Sequence, residues 1–325
     1  KLAAACLENF GGLDNMQQDG WKIFENTTFL NNFGAADEAP AEMIWRANVN
    51  KTQSFEKDNY PPSLNGNGRV NPTQNLVDAF PMLNGLPITA EGSGYDAKNP
   101  YENRDPRLKM YVLVNGATIG HNNSVVNTEA DSKADNNDAI NRINGRSTIT
   151  GYYLRKLLRP DVNCWDEAST FNHLQIRIRA TEIFLAYAEA ANEAEGPEAQ
   201  LGGVKYSAKK VIKALRERVG ICPNGAPDPY LDECAESKDK MRELIRNERR
   251  LELCFENHRF WDLRRWLAPL NETAKGVSIT TAEDGSLEYK IIDVEKRDYK
   301  DYMYYGPIPY SEIMKWSNLQ QNYGW

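Results

Sequence analysis

The stretch ELIRNERRLELCFENHRFWDLRRW, from Glu243 to Trp266, decides how this chain is read. It is too charged for a core and too apolar for a surface. Leu244, Leu251, Cys254, Phe255 and His258 recur at helical spacing and lay an apolar stripe along one side. If that stripe is buried, Glu248, Arg249, Glu252, Arg259 and Asp262 cannot all face water. Buried charges persist only when paired and hydrogen-bonded, and removing one partner costs about 3–5 kcal/mol. The segment therefore predicts two antiparallel helices laced by internal Arg–carboxylate pairs. Asn257, which tolerates a positive φ, is the expected hinge. Trp261 and Trp266 share the helical frame and are expected in the core, with His258 as a helix-packing residue.

Composition narrows the function classes. At 325 residues the chain exceeds the size at which one core usually keeps growing, which predicts more than one subdomain. A net charge of −7 argues against a nucleic-acid footprint, because a phosphate-binding face needs a clustered basic excess. The arginines of the opening stretch do not supply one, since Glu248, Glu252, Glu256 and Asp262 alternate with them. The five cysteines, Cys6, Cys164, Cys222, Cys234 and Cys254, form no metal-binding pair and leave one over, so mostly free thiols are expected. A Cys222–Cys234 bridge is the minor alternative. No stretch approaches the roughly 20 apolar residues that span a bilayer.

Along the chain, Lys1 to Phe10 reads as the tail of an amphipathic helix stopped by Gly11 and Gly12. Trp21–Leu30 and Ala41–Ala47 look like short packed segments. Residues 48–71 hold Pro61, Pro62, Gly66 and Gly68 and predict loop throughout. Gln74–Phe80 predicts a short helix, and Met110–Val114 a strand. Residues 121–145, rich in Asn, Asp and Ser, read as polar and mobile. From Gln175 onward helices dominate: one runs through Ile176, Ile178, Phe184, Tyr187 and Ala191 to a stop at Gly196 and Pro197. A second is capped by Ser207 and ends at Gly220. A hairpin follows over Val277–Thr281 and Leu287–Ile292, turning at Asp284 and Gly285.

Three further stretches complete a pattern. PTQNLVDAF spans Pro72 to Phe80 and is followed by Asn84 and Gly85. NPYENRDPRL spans Asn99 to Leu108, with Arg104, Asp105 and Arg107 as its charged residues. YGPIPYSEI spans Tyr305 to Ile313, and NLQQNYGW closes the chain at Trp325. With the Arg-rich helical stretch, these ordered motifs resemble the SusD/RagB family of outer-membrane nutrient-binding lipoproteins. Asn257 departs from the pattern, which more often has Gly there. The resemblance implies a mainly α fold, in which tetratricopeptide-like helical pairs pack against an irregular, loop-rich subdomain with a small β-hairpin. It divides the chain into a remnant of helical repeats (1–47), a loop-rich subdomain (48–174), helical pairs (175–270) and a hairpin with a C-terminal segment packed on the helices (271–325). It also implies further repeats upstream of Lys1 and a lipid-modified N-terminal cysteine that Cys6 is not. Membrane contact would come only through that anchor, absent from this chain. The implied partners are an oligosaccharide or other nutrient and a SusC-like TonB-dependent transporter, with no nucleic acid.

No catalytic motif stands out among the three widely spaced histidines, and no cofactor or metal is expected. Asp131, Asp135, Asn136, Asn137 and Asp138 could surround calcium, but without the EF-hand glycine and terminal Glu a solvated loop is the favoured reading. Sugars stack their C–H faces on aromatic rings and offer hydroxyls to planar amide and guanidinium groups. A glycan site should therefore combine aromatic and amide residues on loops. Phe55, Tyr60, Asn65, Asn67 and Arg69 fit, as do His121, Asn122, Asn123 and Trp165. The competing reading is that Phe55 and Tyr60 merely pin their loop. Tyr302, Tyr304, Tyr305 and Tyr310 are expected in an ordered segment over the helices, outside any binding strip. A helical glycoside hydrolase and a repeat scaffold without glycan binding remain as alternatives to a non-enzymatic surface receptor.

Overall fold

A computed structural model describes residues 1–25, 42–132, 138–201 and 203–325. Helices α1 (Leu2–Asn9), α2 (Ser54–Asn59), α3 (Gln74–Ala79) and α4 (Pro106–Tyr111) precede a helical block. That block comprises α5 (Ala180–Glu195), α6 (Ala208–Arg218), α7 (Pro229–Cys234), α8 (Lys238–Glu252) and α9 (His258–Arg265). Short antiparallel strand pairs join distant segments. β1 (Met43–Arg46) pairs with β8 (Ile176–Arg179), and β2 (Asn50–Thr52) pairs with β7 (Phe171–His173). β3 (Val112–Leu113) pairs with β6 (Tyr153–Leu154), and β4 (Thr118–Ile119) with β5 (Ser124–Val125). The hairpin of β9 (Ala274–Thr281) and β10 (Leu287–Glu295) is the longest ladder.

Helix α5 packs against α1, α6 and α8. Its small residues Ala188 and Ala191 let Val211, Ile212, Leu215, Met241, Leu244 and Ile245 close on it, all at most 3% exposed. Burying each such large aliphatic side chain contributes about 1.5–3 kcal/mol. Ser207 caps α6 by accepting from the Lys210 amide at 3.3 Å. A second core gathers Val77, Phe80, Leu108, Tyr111, Tyr152, Leu251, Val277 and Ile279 from α3, α4, α8 and the hairpin. A third holds Tyr60, Leu64, Leu113, Ile119, Tyr153 and Leu154.

Several expectations are corrected. Residues 48–71 are not all loop: β2 and α2 form before Pro61, and the breakers that suggested loop lie after them. Ile176 and Ile178 belong to a strand, because the alternation Ile-Arg-Ile-Arg has a period of two and α5 starts only at Ala180. Met110 and Tyr111 finish α4, leaving two residues of the expected strand. Within 121–145, Val126, Thr128, Asp138 and Ala139 are buried, and Asp138 accepts from the Ser63 amide and hydroxyl at 2.8 and 2.6 Å. All five cysteines are free thiols. Asp135, Asn136 and Asn137 lie outside the described residues, as do 26–30 and 41 of the two early segments.

The opening stretch folds as α8 and α9, joined by a turn in which Phe255 and Asn257 take positive φ of 64° and 67°. Arg249 reaches across to Asp262 at 3.1 Å. The larger lacing runs outward from α8. Glu252, fully buried, meets Arg107 (3.1 Å) from α4, Arg179 (3.1 Å) at the end of β8 and Arg218 (2.7 Å) closing α6. Glu248 binds Arg107 at 2.9 Å and Arg216 at 3.1 Å, and Arg107 also holds Asp105 at 2.6 Å. Glu256 binds Lys156 at 2.6 Å and Arg179 at 2.8 Å. Burial alone would push the Glu252 carboxyl up, but Arg218, Arg179, Arg107 and Lys156 hold it well below the ordinary carboxylate range. The network is thus a seam between the helical block and the mixed body. Arg104 acts differently, donating to the carbonyls of Pro100, Val77 and Phe80 at 2.6–2.7 Å. Arg259 departs from the pairing expectation: among the described residues it makes no ion pair, and burial with the nearby Arg250 charge pulls its pKa down to about 10.

Candidate functional site

Because Glu256 is clamped by Lys156 and Arg179, the α8–α9 turn is held in place, and its outer side forms one wall of a cleft of about 550 Å³. Phe255, Glu256, Asn257, His258 and Trp261 supply that wall. Asn48, Asn50 and Thr52 around β2, with residues from His173 in β7 to Arg177 in β8, supply the other, and Phe55 of α2 completes the lining. The volume lies within the range of small-ligand sites.

The polar groups of the cleft divide into two kinds. His173 Nε2 sits 2.9 Å from both Glu56 carboxylate oxygens. Burial would lower the His173 pKa, but the Glu56 hydrogen bond and charge outweigh it and raise it. Glu256 is pushed up by burial and pulled further down by Arg179 and Lys156, so it stays ionised. His258 lies 3.7 Å from Glu182. By contrast, the side chains of Asn48, Asn50, Gln175, Arg177 and Asn257 carry no intrachain hydrogen bond or ion pair among the described residues. They leave amide donors, amide acceptors and one guanidinium exposed in a lining shared with Phe55 and Trp261. Such a lining can hydrogen-bond hydroxyls while an aromatic face stacks on C–H groups.

The residues expected from sequence do not form one site. Phe55 lines the cleft. Tyr60 is corrected: it is fully buried, and its hydroxyl donates to the Arg159 carbonyl, so it holds the core and cannot meet a ligand. Asn65 donates to the Cys164 carbonyl at 2.9 Å, Asn67 is half-buried, and Arg69 pairs with Asp58 at 3.3 Å. His121, Asn122 and Asn123 are exposed in the β4–β5 turn, and Trp165 is 68% exposed on the 163–169 loop. That loop is tied to α2 through Gln53, which donates to the carbonyls of Asp166 and Glu167 at 2.9 and 3.0 Å. Neither Trp165 nor the β4–β5 turn belongs to the cleft lining.

Trp261 is a second correction. It is 66% exposed, because α9 turns its Asp262 side inward toward Arg249 and the neighbouring Trp261 outward. Trp266 is half-buried, its indole N–H donating to Glu189 at 2.7 Å. Sequence reasoning missed Asn50, Gln175, Arg177, Asn257 and Trp261 as a group. The period-two alternation over Ile176–Arg179 was the available signal, since it places Arg177 on the open face of a strand.

Comparison with known proteins agrees with this architecture. The SusD family model matches residues 35–325. SusD-like protein P25 of Formosa agariphila is 27% identical over 342 residues, covering 96% of this chain and 56% of its own length. A SusD-like protein from Bacteroides fragilis NCTC 9343 superposes with a TM-score of 0.67 at 25% identity, covering 98% of this chain and 63% of that structure. A SusD-like carbohydrate-binding protein from the same organism gives a TM-score of 0.66 at 22% identity, again over 98% of this chain and 63% of that structure. The chain therefore spans less than two thirds of the length of each of these relatives. With a family match over nearly its whole length and the helical pairs in place, the chain belongs to the SusD family.

Proposed function

We propose that this chain is the ligand-holding part of a non-enzymatic oligosaccharide receptor at the outer cell surface, which passes its ligand to a TonB-dependent transporter. The observation that carries the reading is the cleft in which Asn48, Asn50, Gln175, Asn257 and Arg177 stand without intrachain partners among the described residues, in a lining that includes Phe55 and Trp261. Family membership supports the surface location and the transporter as partner. Among the described residues no helix is long and apolar enough to cross a membrane.

The carboxylates at the cleft support holding over cutting. Glycoside hydrolysis needs two carboxyl groups across the scissile bond, one with a raised pKa to act as acid. Glu256 is the one carboxylate of the described cleft lining, and Arg179 and Lys156 keep it ionised. Glu56, behind the wall, is wholly buried and engaged by His173.

Calorimetric titration of a panel of soluble oligosaccharides tests the reading. Saturable binding to the wild type is expected, with Trp261→Ala weakening it about two- to tenfold, the range of one aromatic contact. Unchanged affinity in that variant, or cleavage of any bound glycan, would contradict it.

A further inference from the structure

Trp261 stands between two depressions. On one side is the amide-lined cleft; on the other is a groove of about 470 Å³ lined by Trp261, Arg264, Arg265, Leu267, Tyr304 and Tyr305. The Trp261 ring is set edge-on against Phe260 at 5.0 Å, and the Arg264 guanidinium lies 3.5 Å over Phe260. Tyr304 is fixed by donating to the Ala268 carbonyl at 2.9 Å, and Trp325 holds the Tyr305 carbonyl at 3.0 Å. Arg265 is engaged by Glu189 and Asp262. Trp261, Leu267 and Tyr305 nevertheless keep 64–69% of their surface open.

Leu267 gives an independent indication. The amide of Leu267 donates to the Arg264 carbonyl and that of Ala268 to the Leu263 carbonyl, a Schellman ending of α9. The residue after such a cap is usually Gly, yet here Leu adopts φ = +50° and presents its side chain to the groove. Capping alone does not call for Leu there; an apolar wall does.

We propose that the binding strip continues over Trp261 into this groove, so that the ligand is an extended oligosaccharide longer than the cleft alone holds. The occupant is argued from continuity, since Trp261 lines both depressions, and from chemistry, since the groove offers exposed ring and alkyl faces beside the Arg264 guanidinium. This rests on the glycan reading and specifies its ligand. Trp261 sits at the waist of the strip, with Asn50, Gln175 and Arg177 on one side and Leu267 and Tyr305 on the other.

The test is a calorimetric length series, from disaccharides upward, of malto-, laminari-, cello- and xylo-oligosaccharides against the wild type, Trp261→Ala, Tyr305→Ala and Leu267→Gly. Affinity is expected to climb with length and then level off. Trp261→Ala should weaken every length, while Tyr305→Ala and Leu267→Gly should weaken only the longer chains, about two- to tenfold. Leu267→Gly relieves the left-handed backbone, so its loss of binding could not be ascribed to unfolding. Short-chain binding with no gain on lengthening, or long-chain binding indifferent to Tyr305→Ala and Leu267→Gly, would overturn the extension and leave the cleft standing. Failure of every series to bind the wild type would overturn both.

Discussion

At the scale of single residues, Glu252 has the largest structural consequence. It is fully buried and shared by Arg107, Arg179 and Arg218, so Glu252→Ala would take one carboxylate partner from each of three buried cations. A loss of about 3–5 kcal/mol is expected in urea unfolding. The pH dependence has a definite sign. The folded-state pKa lies below the ordinary 4.5, so the stabilisation is present above that value and disappears as pH falls through the lower, folded-state pKa. The two arginines of the opening motif should separate in the same assay. Arg249→Ala breaks a buried pair with Asp262 and should cost about 3–5 kcal/mol. Arg259→Ala, with no ion pair to lose among the described residues, should cost less than about 1 kcal/mol. Leu267→Gly should raise stability by about 1 kcal/mol, read as a higher melting temperature, because a left-handed backbone penalises any side chain. The burial of Glu248, Glu252 and Asp262 was legible from charge set within an apolar stripe. Their partners from α4, β8 and α6 were not, since spacing within one segment carries no information on what packs against it.

At the scale of elements, the α8–α9 turn links stability to binding. Asn257 at φ = 67° can be replaced by Gly within about 0.5 kcal/mol, whereas Asn257→Val should cost about 1–2 kcal/mol through its branched side chain. Asn257→Gly also removes a cleft amide, so weaker glycan affinity with unchanged melting is the expected pair of results. The contact between α2 and β7 titrates in the opposite sense to Glu252. His173 has its pKa raised by Glu56, so its stabilising contribution is complete below the ordinary value of 6.5 and is lost as pH rises through the folded value. His173→Gln should flatten that part of the stability profile. Caps and turns were readable: Ser207 caps α6, and Gly285 turns the β9–β10 hairpin. The strands β2, β7 and β8 were not, because each is a short run whose partner lies more than a hundred residues away in the chain or is itself such a run. Since those strands make one wall of the cleft, missing them meant missing the cleft.

At the scale of the whole molecule, the ionic seam joins a helical block to a mixed body, and the cleft opens where the α8–α9 turn faces β2, β7 and β8. The motif-bearing stretches fold chiefly as structure. Asn75 of the first binds Thr273 and Lys275 of the hairpin, Arg104 of the second gathers carbonyls, and Gln321 of the last clasps Ile308. That is why family membership could be read early while the ligand residues could not. The former depends on packing that the motifs specify, and the latter on amides and rings that packing leaves free. Trp261 shows the distinction within one helix, since its neighbour Asp262 is buried and it is not. The most direct measurement is calorimetric titration of the best-binding oligosaccharide into the wild type and an Asn50→Ala/Gln175→Ala double variant, with chromatography of the recovered sugar. Saturable binding that the double variant loses, with the sugar recovered intact, is the expected result; equal affinity in both proteins, or a shortened sugar, would contradict a cleft that holds glycan without cutting it.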